Sequence, residues 1–236
     1  MNKCKIGIMQ PYFFPYIGYF QLINAVDKYV VYDDVNYIKR GWANRNYILV
    51  NGLSYRFSMA VYNPSQNKKF IETEISSDMN WRTKLLKTIE MSYHKAPYFN
   101  QAYQVVEKSL LNSEKNLGIY LFDSLRLLCN YMNINTELIL SSSIEKDNSL
   151  KAVEKIYEIC RLMGAEEYYN SVGGKELYNR GEFEKRNIKL YFLKLNDDFR
   201  YKQFDKEFIP NLSIIDVIMF NDVEQIQKLL TQYTLL

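Results

Sequence analysis

The sequence predicts an α/β fold with a parallel-sheet core, and three observations point to it. Lys5–Met9 and Tyr29–Tyr32 are short apolar runs of the kind that buried strands show. Between them, Gly18–Ala25 places Phe20, Leu22 and Ile23 on one side of a helix. Later short runs, Glu137–Ser141, Glu167–Tyr169 and Ile188–Leu193, are separated by helical patterns, of which Leu150–Met163 is the most regular. Strand–loop–helix–strand units build parallel sheets, and such sheets hold ligands at the carboxyl ends of their strands.

The remaining elements follow in order. Gln10-Pro11-Tyr12-Phe13-Phe14-Pro15 breaks the first strand, because two prolines remove ladder donors and stiffen the loop. Asn46–Val50 and Tyr55–Val61 alternate about Asn51-Gly52, a hairpin signal. Asn80–Tyr93, Tyr98–Leu111 and Leu117–Met132 read as helices, and Gly164 closes Leu150–Met163. Phe183–Arg186 is a helical turn, and Leu212–Asn221 leads into a terminal helix over Asp222–Tyr233. No linker or repeat divides the chain. The expectation is one domain over 1–236, with a hairpin insertion at about 46–61 and a helical segment at about 80–132.

Composition narrows the function. The chain has 236 residues, 47% of them hydrophobic, which is enough for a packed core. Thirty basic residues against 27 acidic ones give a net charge of +3, too small to argue for a DNA partner. The apolar run Ile214–Phe220 is broken by Asp216 and is far shorter than the roughly 20 residues a membrane span needs. The first residues carry no secretory pattern, so a cytoplasmic protein is expected. Three widely spaced cysteines, Cys4, Cys129 and Cys160, form no Cys-x-x-Cys pair, which predicts buried thiols and no metal site. Tyr outnumbers Gly by 21 to 9, and tyrosine rings suit stacking on sugars or bases.

Two stretches carry most of the chemical promise. Gln10, Tyr12, Phe14, Tyr16, Gly18 and Tyr19 follow the first strand, where stiffened aromatics can wall a planar or sugar ligand and Gly18 can open a helix toward an anion. The alternative is a hydrophobic plug over the sheet. Asp33 and Asp34, followed by Lys39, Arg40, Asn44 and Arg45, end the second strand. Such carboxylates orient hydroxyls, hold Mg²⁺ or take an amine proton, and arginine forks suit phosphate. The alternative is a solvated loop of surface pairs. Weaker signals are His94 at a helix end, Ser171 with Gly173 and Gly174 as a phosphate cradle, and Gln203 with Asp216, which interrupts an apolar run, faces a partner or a helix N-terminus and is read first as a structural cap.

Taken together, Gln10–Tyr19, Tyr32–Val35 with Lys39–Arg45, Ala96-Pro97-Tyr98-Phe99, Ser171–Gly174, and Tyr201-Lys202-Gln203 with Leu212–Asp216 resemble the WbqC-like family over nearly the whole chain. Its members sit among bacterial genes for surface polysaccharides such as O-antigen. The resemblance implies transfer of glycine or another small acyl group onto the amine of an amino sugar. Separately, Tyr16-Ile17-Gly18-Tyr19 is similar in spacing to the His-x-Gly-His motif of nucleotidylyl transferases and pantothenate-synthetase-like ligases, which implies a HUP-type fold. Both histidines of that motif are tyrosines here, so its adenylyl-transfer chemistry does not carry over. In the ATP version of the reaction, Lys39, Arg40 and Arg45 hold phosphates, Asp33 or Asp34 binds Mg²⁺ or accepts the amine proton, and Tyr12, Phe14 and Tyr16 stack on sugar or base. The expected partners are a nucleotide-linked amino sugar and an acyl donor. A nucleotide-sugar- or carbohydrate-binding accessory of polysaccharide assembly, without turnover, is the competing expectation.

Overall fold

A computed structural model describes residues 3–39, 41–204 and 207–236. Its centre is a six-stranded sheet in the order β7-β2-β1-β8-β9-β10. The strands are β1 (Lys5–Met9), β2 (Lys28–Val31), β7 (Glu137–Leu140), β8 (Glu167–Ser171), β9 (Lys189–Leu195) and β10 (Tyr233–Leu235). The first five pair in parallel, and β10 closes one edge antiparallel to β9. Both faces are covered, so the strands alternate between two cores. Ile6, Ile8, Val30, Tyr168, Leu190 and Phe192 pack under α5 (Ala152–Leu162) and α6 (Arg180–Glu184). Tyr29, Val31, Tyr169 and Leu193 pack on the other side. That second face carries α1 (Ile17–Asn24), and α7 (Ile214–Phe220) and α8 (Val223–Leu229) belong to the same core.

The long connection from β2 to β7 forms the rest of the molecule. It holds the hairpin β3 (Arg45–Val50) and β4 (Leu53–Ser58), the small pair β5 (Val61–Tyr62) and β6 (Glu74–Ile75), and the helices α2 (Asn80–Tyr93), α3 (Phe99–Leu110) and α4 (Leu117–Tyr131). Asn51 and Gly52 have φ of 53° and 79°, the double positive φ of a two-residue hairpin turn. The expected second hairpin strand, Tyr55–Val61, is displaced: the turn starts it at Leu53, and Val61 leaves to pair with Ile75. The expected terminal helix also stops early, because Tyr233–Leu235 is the edge strand β10. A mixed α/β fold with a mostly parallel sheet therefore stands.

The aromatic loop after β1 is fastened from both sides. The Phe13 amide donates to the Trp42 carbonyl (3.1 Å), so this loop and the mixed-charge stretch do meet. Phe14 adopts φ of 44°, costly for a bulky residue, and its carbonyl is held by Asn46 Nδ2 (2.7 Å) and Ser213 Oγ (2.8 Å). Asn46 also reaches the Phe13 carbonyl (3.3 Å). Changing Asn46 to alanine strands the Phe13 carbonyl in the core and is expected to cost about 1–3 kcal/mol. Urea unfolding of the variant checks this; a loss below about 0.5 kcal/mol would show that the strained loop is held by packing alone.

Candidate functional site

Strand register sets the stage. Met9 lies beside Val31, and Val31 beside Leu140. Gly7 lies beside Tyr169, so Ser171 falls on the row of Met9. The chain therefore leaves the sheet at one level in four places, at Gln10, Tyr32, Ser141 and Val172. The connection reverses between β1 and β8, since β1 leads outward to β2 and β7 before the chain returns to β8. A reversal of this kind opens a crevice at the carboxyl edge.

Beyond β2 the chain turns, with the Asp33 amide donating to the Val31 carbonyl (3.0 Å), and the two carboxylates leave toward different helices. Asp33 turns toward α4, where a Cβ on Gly118 would lie 3.3 Å from the Asp33 Cβ. Its carboxylate accepts from Ser142 N (2.9 Å) and Ser142 Oγ (2.6 Å). Burial raises the Asp33 pKa despite those bonds, and the Asp34 charge adds to the rise. Ser142 itself is exposed, so one hydroxyl separates this carboxylate from solvent.

Asp34 turns the other way, toward α5. Its Oδ2 meets Lys155 Nζ at 2.7 Å and Lys146 Nζ at 3.0 Å, with the Asp34, Lys146 and Lys155 side chains only 4%, 1% and 7% exposed. Burial alone would raise the Asp34 pKa, but Lys155, the Ser141 hydroxyl and Lys146 outweigh it and hold the carboxyl below its usual range. Lys155 also lies 5.4 Å from the centre of the Tyr32 ring. Lys146 donates to the Ser141 carbonyl, which ties the chain after β7 to the same cluster. With two ammonium groups on it, Asp34 offers a divalent cation little field, and any Mg²⁺ role would fall to Asp33. Among the described residues no three His, Cys, Asp or Glu side chains gather.

The other expected site residues divide into groups. Gln10 follows β1, half-buried, with its carbonyl accepting from Tyr19 OH (2.9 Å). Tyr12 and Tyr16 are half-buried, with Tyr12 5.3 Å from the Tyr19 ring, and burial raises all three hydroxyl pKa values. Phe14 and Tyr19 are enclosed in the core, so neither ring presents a face to a ligand. Gly18 is covered as well: a Cβ there would stand 2.4 Å from the Tyr16 ring, so this glycine seats an aromatic ring rather than an anion. Lys39 is exposed and Arg40 lies outside the described residues. Asn44 is spent on the hairpin, its side chain donating to the Met59 carbonyl (3.1 Å), and Arg45 opens β3.

Ser171 and Gly173 lie at the end of β8, and Gly174 is buried against Asn170, whose Oδ1 would meet a Cβ at 3.1 Å. Asn170 Nδ2 donates to Tyr168 OH (2.7 Å) and to Tyr178 OH (3.2 Å), a polar ladder that runs toward Tyr32. Lys146, Lys155, Ser142 and Asn46 were not expected from the sequence. Of the three cysteines expected to be buried thiols, Cys129 and Cys160 are buried, and burial pushes each up to about 12, whereas Cys4 before β1 is only half-buried. No helix among the described residues is long and apolar enough to cross a membrane.

His94 and Gln203 stand elsewhere. Both line a cavity of about 290 Å³ with Leu49, Ser92, Lys95 and Glu207. His94 is exposed at the end of α2, its Nδ1 3.2 Å from the Met91 carbonyl. Gln203 Nε2 donates to Asp216 Oδ2 (2.7 Å), which also accepts from Tyr201 OH (2.6 Å), while Tyr93 OH donates to Oδ1 (2.8 Å). Burial raises the Asp216 pKa to about 6, since three neutral donors replace water only in part. A second cavity, of about 530 Å³, lies along α5 between Glu154, Arg161, Ala165 and Ile188. Asp33 and Asp34 line neither.

Asp216 makes a pH prediction. Its folded pKa exceeds its unfolded value, so its contribution is greatest below about pH 4 and falls as pH rises through about 6. Relative to Asp216→Asn, the native chain should lose about 3 kcal/mol of stability between these limits. Urea unfolding at several pH values checks this, and parallel profiles for the two chains would contradict it.

The sequence model of the WbqC-like protein family matches residues 10–228. An uncharacterized protein of Mycobacterium tuberculosis, Rv1507c, is 28% identical over 219 residues, which span 92% of this chain and 93% of the relative. No solved structure matches.

Proposed function

The chain belongs to the WbqC-like protein family, and on that premise we propose that it transfers glycine or another small acyl group onto the amine of a nucleotide-linked amino sugar. One observation carries the reading: four titratable side chains, Asp33, Asp34, Lys146 and Lys155, are gathered at the carboxyl ends of β2 and β7, beside the reversal point of a parallel sheet. A fold needs no such cluster there, because burying charges costs more than packing apolar groups in their place.

The roles divide as the two faces do. The paired Asp34 is the rigid partner, fixing the two lysines and the chain after β7. Asp33 is the base. Its raised pKa brings a carboxylate nearer to an amine in proton affinity, and a sugar amine can replace the Ser142 hydroxyl as its donor. Loss of that proton frees the amine lone pair to attack the donor carbonyl carbon; as the carbonyl re-forms in the amide, the activating group leaves with the electron pair of its own bond to that carbon and takes up the second amine proton. Tyr12, Tyr16 and Gln10 border the same edge and suit a sugar ring, whereas Lys175 and the exposed backbone at Gly173 suit phosphate. The strand order 3-2-1-4-5 of the parallel part is that of nucleotide-binding doubly wound sheets and supports the HUP-type resemblance of the Tyr16–Tyr19 loop.

The test presents the purified chain with nucleotide-linked amino sugars and, in separate arms, glycine with ATP and Mg²⁺, a glycyl thioester, and glycyl-tRNA. A mass gain of one acyl group on the sugar is the expected product. A sugar that binds, as read by tyrosine and tryptophan fluorescence, yet gains nothing in any arm would favour the non-catalytic binder. That second reading draws on one feature, the closure of Asp33 by Ser142.

A further inference from the structure

The interface of α2 and α4 holds a charge that the fold does not balance. Arg82 lies on the apolar stripe of α2 with Leu85, Leu86, Ile89 and Tyr93, and it is 5% exposed. Its guanidinium carbon stands 4.8 Å from the centre of the Trp81 ring and 5.9 Å from that of Tyr120. Nη1 donates to the Met79 sulfur (3.2 Å), a weak acceptor. Among the described residues no carboxylate pairs with it. Two buried donors here lack a partner, Arg82 Nε and Trp81 Nε1, while the Tyr120 hydroxyl faces the guanidinium, which pulls its pKa down against the rise that burial causes. The first two can only donate, and the hydroxyl keeps its own proton to donate.

Ring contacts temper a buried guanidinium but do not replace the water it has lost, and unmet buried donors are rare. Unmet donors around a cation, with no carboxylate among them, are complementary to an oxyanion. We propose that Arg82, Trp81 and Tyr120 form a binding site for a compact oxyanion, a carboxylate or a phosphate. The place is adjacent to the carboxyl edge: the Phe13 ring of the aromatic loop lies 6.2 Å from Trp81, and α4 carries both Tyr120 and Gly118, which packs on Asp33. The inference does not depend on acyl transfer, and its test reads binding alone.

The chain has two tryptophans, and Trp42 is 47% exposed. In Trp42→Phe the remaining fluorescence reports on Trp81. Titration with inorganic phosphate, with acetate, and with chloride at matched ionic strength is the experiment. A saturable response to phosphate or acetate, absent with chloride, is expected, and the arm that responds tells phosphate from carboxylate. Adding Arg82→Gln should weaken it about 10–100-fold, the worth of a charge-assisted bond. If that variant does not fold, Tyr120→Phe, which keeps charge and ring, decides by a several-fold loss. No saturable response, an equal response to chloride, or an unchanged affinity in the deciding variant overturns the proposal.

Discussion

Replacing Asp34 with alanine is expected to lower the unfolding free energy by about 3–5 kcal/mol, because it leaves two buried ammonium groups without a counter-charge. The Lys146 and Lys155 side chains are 1% and 7% exposed, so water screens neither. For a chain of this length the thermal midpoint should fall on the order of 10 °C. Removing the charges together has a different outcome. A chain carrying Asp34→Leu, Lys146→Met and Lys155→Met should regain most of the loss, since apolar groups of similar size escape the desolvation cost. Thermal and urea unfolding of the single and triple variants test both statements. A loss under about 1 kcal/mol for Asp34→Ala is the size of an exposed pair and would show that the cluster is solvated.

That cluster was half legible in the sequence. Asp33 and Asp34 stand out as adjacent carboxylates after an apolar run, and nothing local shows that they serve different faces. The separation has meaning only once α4 and α5 are known to lie on opposite sides of the sheet. Lys146 and Lys155 come from the far side of a connection of more than a hundred residues. Lys155 did leave a mark: on α5 it shares the stripe of Ile156, Ile159 and Cys160, where helical spacing asks for an apolar residue. Arg82 interrupts the stripe of α2 in the same way. A cation on a buried stripe is therefore the signal that could have found both sites.

The aromatic loop shows the reverse. Its prolines and rings were read as a wall for a ligand, and Phe13 and Phe14 instead fill the core, because Asn46 and Ser213 draw the backbone of Phe14 into positive φ. Those anchors are 32 and 199 residues away in sequence, out of reach of any local pattern. The parallel sheet was easier to read. Its inner strands β1 and β2 are buried on both faces, so they appear as short continuous apolar runs. Only the edge strand β10, short and half exposed, passed for the end of a helix.

Asp33→Asn separates catalysis from stability. Asparagine keeps the shape, and its Oδ1 can still accept from Ser142 N while the Ser142 hydroxyl turns to accept from Nδ2. The fold should therefore survive with a small change in thermal midpoint. A general base is worth about 10²–10⁴-fold in rate, so acyl transfer to the amino sugar should fall by that factor while sugar binding remains. The native rate should also rise with pH through the Asp33 pKa, which burial sets above the ordinary carboxylate value, because only the ionised form can take the amine proton. The variant should lose that limb of the profile. A structural Asp33 would give the opposite pattern, a lowered midpoint with the pH dependence intact. Transfer within about tenfold of the native rate, on a folded variant, would remove Asp33 from the chemistry.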